Sequence, residues 1–174
     1  MTEMSSASLV KLLQLLEGAN IPVWLDGGWG VDALLQRQSR RHQDLDVVLA
    51  VSDVPMLRAL LGERGFAVAR GKPPNSFVLA NGRGLEVDVH AARFDENGNG
   101  VYRMQNGEDW VYTADHLSGC GKIEELTVRC LTPEAQVFCH AYGYVPAEKD
   151  YHDMQLLEER FGVELPPQLQ RRVP

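Results

Sequence analysis

Two short runs alternate acidic and aliphatic residues: Asp44-Leu45-Asp46-Val47, continuing into Val48-Leu49-Ala50, and Leu85-Glu86-Val87-Asp88-Val89-His90. Successive side chains of a β-strand point to opposite faces. The first run therefore places Asp44, Asp46, Val48 and Ala50 on one face, with Leu45, Val47 and Leu49 on the other. The second separates Glu86, Asp88 and His90 from Leu85, Val87 and Val89. Carboxylates at i and i+2 stand roughly 6.6 Å apart along a strand. Beside apolar neighbours they repel one another and lose hydration, which costs stability unless a cation compensates. If the two strands are neighbours, three acids from separate parts of the chain converge, offering the oxygen ligands a divalent cation prefers.

The remaining pattern mixes helices with strands. Ser5 to Leu16 repeats leucine and valine at helical spacing, with Gly18 as its stop, and Ile21 to Leu25 reads as a short strand. The Gly27-Gly28 pair then turns the chain into a helix predicted over Val31 to Gln38. Ser52-Asp53 is a predicted cap for a helix reaching Arg64, closed by Gly65. Strands are predicted over Phe66–Arg70 and Ser76–Ala80, and again over Leu85–Ala91 after the turn Asn81-Gly82-Arg83-Gly84. Further edge strands are predicted over Val101–Thr113 and Ile123–Cys130. Asp95 to Gly100 lacks the alternating ligands and terminal glutamate of a calcium loop and reads as a surface turn.

Thr132-Pro133-Glu134 opens a helix to Tyr142, and a last helix spans Ala147–Arg160 before Gly162. The expected architecture is α/β or α+β, with one mixed, twisted sheet flanked by helices. It forms a single domain over residues 1–174: a core at about 5–130, C-terminal helices at about 133–162, and a tail over 163–174 that is extended and weakly ordered from Pro166-Pro167 onward.

The 174 residues carry a net charge of -7, which argues against a nucleic-acid binder and suits a cationic small molecule. No apolar run is long enough to span a bilayer, and Met1-Thr2-Glu3-Met4 does not open like a secretion signal. Cys120, Cys130 and Cys139 form no Cys-x-x-Cys pair and read as free thiols in core positions of a cytoplasmic protein.

The glycine pair can present backbone N–H groups to phosphate oxygens. A metal held by Asp44 and Asp46 can neutralise a triphosphate, while Asp88 accepts a proton from an attacking hydroxyl or completes the metal site. Glu86 is the alternative third carboxylate, and His90 either joins the site or satisfies the core. Arg40 is placed to grip phosphate bidentately or to sit in a solvated turn. Trp24, Trp29 and Trp110 either stack a base or sugar or serve as packing. Asp32 reads as support for a helix start, and His140 as core.

Gly27-Gly28, Asp44-x-Asp46 and the later Asp88 together resemble the DNA polymerase β-like nucleotidyltransferase superfamily. The run Gly27-Gly28-Trp29-Gly30-Val31-Asp32-Ala33-Leu34-Leu35, with Arg40-Arg41-His42-x-Asp44-Leu45-Asp46, is similar to bacterial antibiotic nucleotidyltransferases. Val87-Asp88-Val89-His90 and Glu148-Lys149-Asp150-Tyr151-His152-Asp153 extend that likeness, towards the lincosamide branch especially. The resemblance implies transfer of a nucleoside monophosphate, AMP foremost, from ATP or another NTP to a hydroxyl of a lincosamide or aminoglycoside, with release of pyrophosphate. It implies Mg²⁺ on Asp44 and Asp46 with Asp88 as base or further ligand, and Gly27, Gly28 and Lys149 at the nucleotide phosphates. The alternatives are transfer to protein or RNA and a non-catalytic nucleotide-binding regulator. The large helical C-terminal domain of some relatives has no counterpart before Pro174, and a homodimer is one way to complete the acceptor pocket.

Overall fold

Ser5 accepts the Ser8 amide and so starts α1 (Ser6–Gly18), whose leucines at 9, 12, 13 and 16 are buried along one stripe. β1 (Val23–Asp26) runs directly into α2 (Gly27–Leu35), and β2 (Asp44–Ala50) follows. The computed structural model describes residues 3–104 and 106–170. After a single 3₁₀ turn come α3 (Val54–Gly62), β3 (Ala67–Lys72), β4 (Ser76–Ala80) and β5 (Glu86–Phe94). Two hairpins complete the strands: β6 (Gly100–Arg103) with β7 (Asp109–Tyr112), and β8 (Gly119–Ile123) with β9 (Leu126–Cys130). The chain then forms α4 (Pro133–Tyr142) and α5 (Glu148–Phe161).

The described strands form one nine-stranded mixed sheet in the order β3-β4-β5-β2-β1-β9-β8, with β6 and β7 branching from the far end of β5. β2 pairs with β5, and β1 with β9, in parallel; the other pairings are antiparallel. The alternation seen in the acidic runs divides the interior. Leu45, Val47, Leu49, Val87 and Val89 join the larger apolar cluster with α1 and α3. Val48 and Ala92, on the faces that bear the acids, join Tyr102, Tyr112, Leu131 and Ala135 in a smaller one. Among the described residues, no helix is long and apolar enough to cross a membrane.

Several boundaries differ from the sequence expectation. α2 begins at Gly27 rather than Val31, so the glycines form its first turn instead of preceding it. Asp53 makes no side-chain cap at α3, because a 3₁₀ turn over Val51–Asp53 leads into that helix. The run from Val101 to Thr113 folds back on itself as a hairpin. His140 and Cys130 are buried, whereas Cys120 is exposed on the edge strand β8 and does not belong to the core.

The tail differs most. Val163, Leu165 and Leu169 are buried in the main core, and Gln170 donates to the Leu165 carbonyl at 2.7 Å. The diproline made this segment read as a loose end, but its three aliphatic side chains have an apolar surface to cover. Residues 171–174 lie outside the described residues. Leu169→Ala is expected to lower stability by about 2–4 kcal/mol, the range for emptying a filled leucine site. Urea unfolding checks this, and a change under about 0.5 kcal/mol, typical of a surface substitution, would show that the tail is only loosely docked.

Candidate active site

The register of three adjacent strands builds the site. In the parallel pairing of β2 with β5, Asp46 lies opposite Asp88 and Asp44 opposite Glu86. On the other side of β2, antiparallel pairing sets Asp26 opposite Asp46. Residues directly opposite in a ladder share a face, so Asp26, Asp46 and Asp88 form a row across β1, β2 and β5. One oxygen each from Asp46 and Asp88 and one ring nitrogen of His90 lie within 4.8 Å of one another. This donor set fits a divalent cation. Asp44 stands one step further along the same face of β2, and its charge reaches both Asp46 and Asp88.

Asp26 was missed as a member of this row. Its position directly before Gly27-Gly28 was a signal, since it ends a strand at the parity of Trp24. Its carboxylate accepts the Gly27 amide at 2.7 Å and caps α2. Gly27 has φ +58, and a Cβ there would run into the Asp46 carboxylate. The start of α2, with its partial positive charge, is thereby held against the acids, and the Gly27 amide, expected at a phosphate, is instead taken up by Asp26. A Cβ on Gly28 would strike the Arg40 guanidinium and the His42 ring.

The other sequence candidates divide between the row and the scaffold. Glu86 is engaged by Arg70 through two hydrogen bonds of 2.9 and 2.6 Å, which hold its carboxyl below the usual range. Arg40 grips buried Asp153 of α5, with Nη2 at 2.7 Å from Oδ2. The Asp153 hydrogen bond and charge outweigh burial and keep that guanidinium firmly protonated. Lys149 is exposed on the first turn of α5, and its charge is felt at Asp46. Asp32, buried in α2, accepts the Ser39 amide at 2.9 Å and faces His42 Nε2 at 2.5 Å, so it braces the segment that follows its helix. Trp29 is buried against His42, Trp24 donates to the Leu117 carbonyl at 2.7 Å, and Trp110 packs on Phe138.

Burial is the first cause that raises the Asp46 carboxyl well above its usual range, followed by the charges of Asp44, Asp26 and Asp88; Lys149 opposes them. Asp88 is also raised, first by burial and then by Asp44 and Asp26, against the pull of His90 and Arg70. A carboxyl with a raised folded-state pKa binds its proton more tightly folded than unfolded. Its contribution to stability is therefore full below about 3.9, the ordinary aspartate value, and is lost as pH climbs through the raised value. In chelator, wild-type stability is expected to fall over that window. Asp46→Asn should remove much of the slope and gain about 1 kcal/mol at pH 8. Urea titrations at several pH values check this, and identical slopes in the two proteins would refute it.

Residues 8–157 match the sequence profile of the aminoglycoside-2″-adenylyltransferase family. A lincosamide resistance protein of Staphylococcus haemolyticus is 27% identical over 150 residues, covering 86% of this chain and 92% of the relative. The lincomycin-bound structure of the lincosamide antibiotic adenylyltransferase LnuA aligns with a TM-score of 0.79 at 25% identity, covering 90% of this chain and 98% of that one. ANT(2″)-Ia in complex with adenylyl-2″-tobramycin shares the fold, with a TM-score of 0.69 at 23% identity over 88% of this chain and 87% of that one. With its profile matched along most of its length, the chain belongs to the aminoglycoside-2″-adenylyltransferase family.

Proposed function

We propose that this enzyme transfers AMP from ATP to a hydroxyl of a lincosamide-type antibiotic in the cytoplasm, using Mg²⁺. The observation that carries this reading is the register of Asp46 against Asp88, which sets two carboxylates from sequence-distant strands beside the start of α2. Similarity to the lincosamide resistance protein over nearly its whole length supports that acceptor class over aminoglycosides.

Asp46 and Asp88, with Asp44 alongside, would hold the metal, which when bound offsets triphosphate charge and polarises the attacked phosphorus. The Gly28 N–H group and the Lys149 ammonium orient the phosphates, while the Gly27 amide, taken up by the Asp26 cap, contributes the close approach of the helix start. The acceptor oxygen forms a bond to the α-phosphorus as the bond from that phosphorus to the α,β-bridging oxygen breaks. The bridging oxygen keeps the electron pair and leaves in pyrophosphate. The acceptor hydroxyl gives its proton to Asp88, which stands opposite Asp46 in the ladder.

Incubation with Mg²⁺, each NTP, and lincomycin or tobramycin, followed by mass spectrometry, should show AMP added to lincomycin. Asp88→Asn is expected to lower kcat by about 10²–10⁴-fold, while nucleotide binding persists. Full activity in that variant would remove Asp88 from the role of base. Adenylylated tobramycin with unmodified lincomycin would reverse the acceptor assignment. Label on protein or tRNA would move the activity to a macromolecular substrate, and nucleotide binding without transfer to any acceptor would leave a regulator.

A further inference from the structure

The edge of Arg40 that would suit a phosphate is occupied within the protein. Nε donates to both Asp153 oxygens at 2.9 and 3.0 Å, Nη2 donates to Oδ2 at 2.7 Å, and Nη1 donates to the Arg41 carbonyl at 3.1 Å. The Asp153 side chain is fully buried, and Arg40 is only 21% exposed. Arg40 lies just before β2, which carries Asp44 and Asp46. Asp153 lies one turn beyond Lys149 on the same side of α5. The ion pair therefore ties the strand bearing the acids to the helix bearing Lys149.

Other contacts hold this tie in place. Asp32 receives both the amide and the hydroxyl of Ser39, the latter at 2.5 Å, and meets His42 Nε2, so the residues flanking Arg40 are anchored to α2. Gly28 leaves open the space that Arg40 Nη2 and the His42 ring occupy. On α5, Asp150 accepts the Ala147 amide at 2.7 Å and the Tyr144 hydroxyl at 3.0 Å, which sets the start of the helix next to Lys149.

We propose that Arg40 is a positioning residue rather than a phosphate ligand: with Asp153 it forms a strut that sets the reach of Lys149 toward a nucleotide held over Asp46 and Asp88. The inference rests on the proposed function in taking Lys149 as the cation that meets the triphosphate. It accounts for a bidentate, buried pair between segments 113 residues apart, which a solvent-facing phosphate ligand has no need to form.

The test is a double-mutant cycle on the full chain. Asp153→Asn and Arg40→Gln should each raise the KM for ATP about tenfold, a coupling of ordinary size for residues in direct contact. The KM for the acceptor should change less than twofold. The double variant should be no worse than either single one, and Lys149→Met should add little on top of Asp153→Asn. If Arg40 contacts phosphate directly, Asp153→Asn will leave the KM for ATP unchanged and Arg40→Gln alone will raise it, which overturns the strut. A lower Tm with an unchanged KM for ATP in both variants also overturns it, leaving only a structural pair. Should Arg40→Gln fail to fold, the cycle between Asp153→Asn and Lys149→Met decides the question. Calorimetric binding of a non-hydrolysable ATP analogue reads the same differences without turnover, so a wild-type protein that transfers nothing sinks the proposed function while the strut is still judged on affinity.

Discussion

The structure depends on the register that sets Asp26, Asp46 and Asp88 side by side on three consecutive strands. Like charges directly opposite in a ladder oppose the pairing that creates them. That pairing is held from beneath. Leu45, Val47, Val87 and Val89 of the same strands are completely buried on the reverse face, and a slip of one residue would move the acids into that interior. Hydrophobic burial on one side of the sheet thus fixes an electrostatically unfavourable arrangement on the other.

The surroundings reduce that cost without removing it. The N-terminus of α2 brings a partial positive charge to the row, and Gly27 is the residue that lets it come so close. Arg70 instead neutralises Glu86, the acid that sits beside the row rather than in it. Asp46 and Asp88 remain raised in pKa after all these contributions. A cation bound at this row would offset both the burial and the mutual repulsion of these carboxylates.

The site was legible in the sequence where its logic is local. Alternation in two runs fixed which faces Asp44, Asp46 and Asp88 occupy, and the glycine pair marked a close backbone approach. Distance along the chain hid the rest. Nothing near Arg40 announces a partner on α5, and a phosphate ligand and a strut have the same appearance in a one-dimensional reading. Asp26 stands outside either alternating run, and only the antiparallel pairing of β1 with β2 brings it opposite Asp46. From Pro166 onward the proline content reads as a loose end, and only the surface that Leu169 covers shows that this segment has somewhere to go.

The division of labour around Arg40-x-His42-x-Asp44-x-Asp46 follows from the same geometry. Side chains in the connector before β2 are paired within the protein: Arg40 to Asp153, and His42 to Asp32. On β2, Asp44 and Asp46 share the face that carries Asp26 and Asp88. The motif thus joins residues paired to α5 and α2 with the acids of β2, and those pairings set how far the acids stand from the α2 N-terminus and from α5. An internally paired connector fixes that distance, and it uses the very cation that a phosphate would otherwise attract. Under the proposed function, the charge that meets the nucleotide then comes from elsewhere, and the exposed ammonium of Lys149, on the helix the connector holds, is the cation whose charge reaches Asp46.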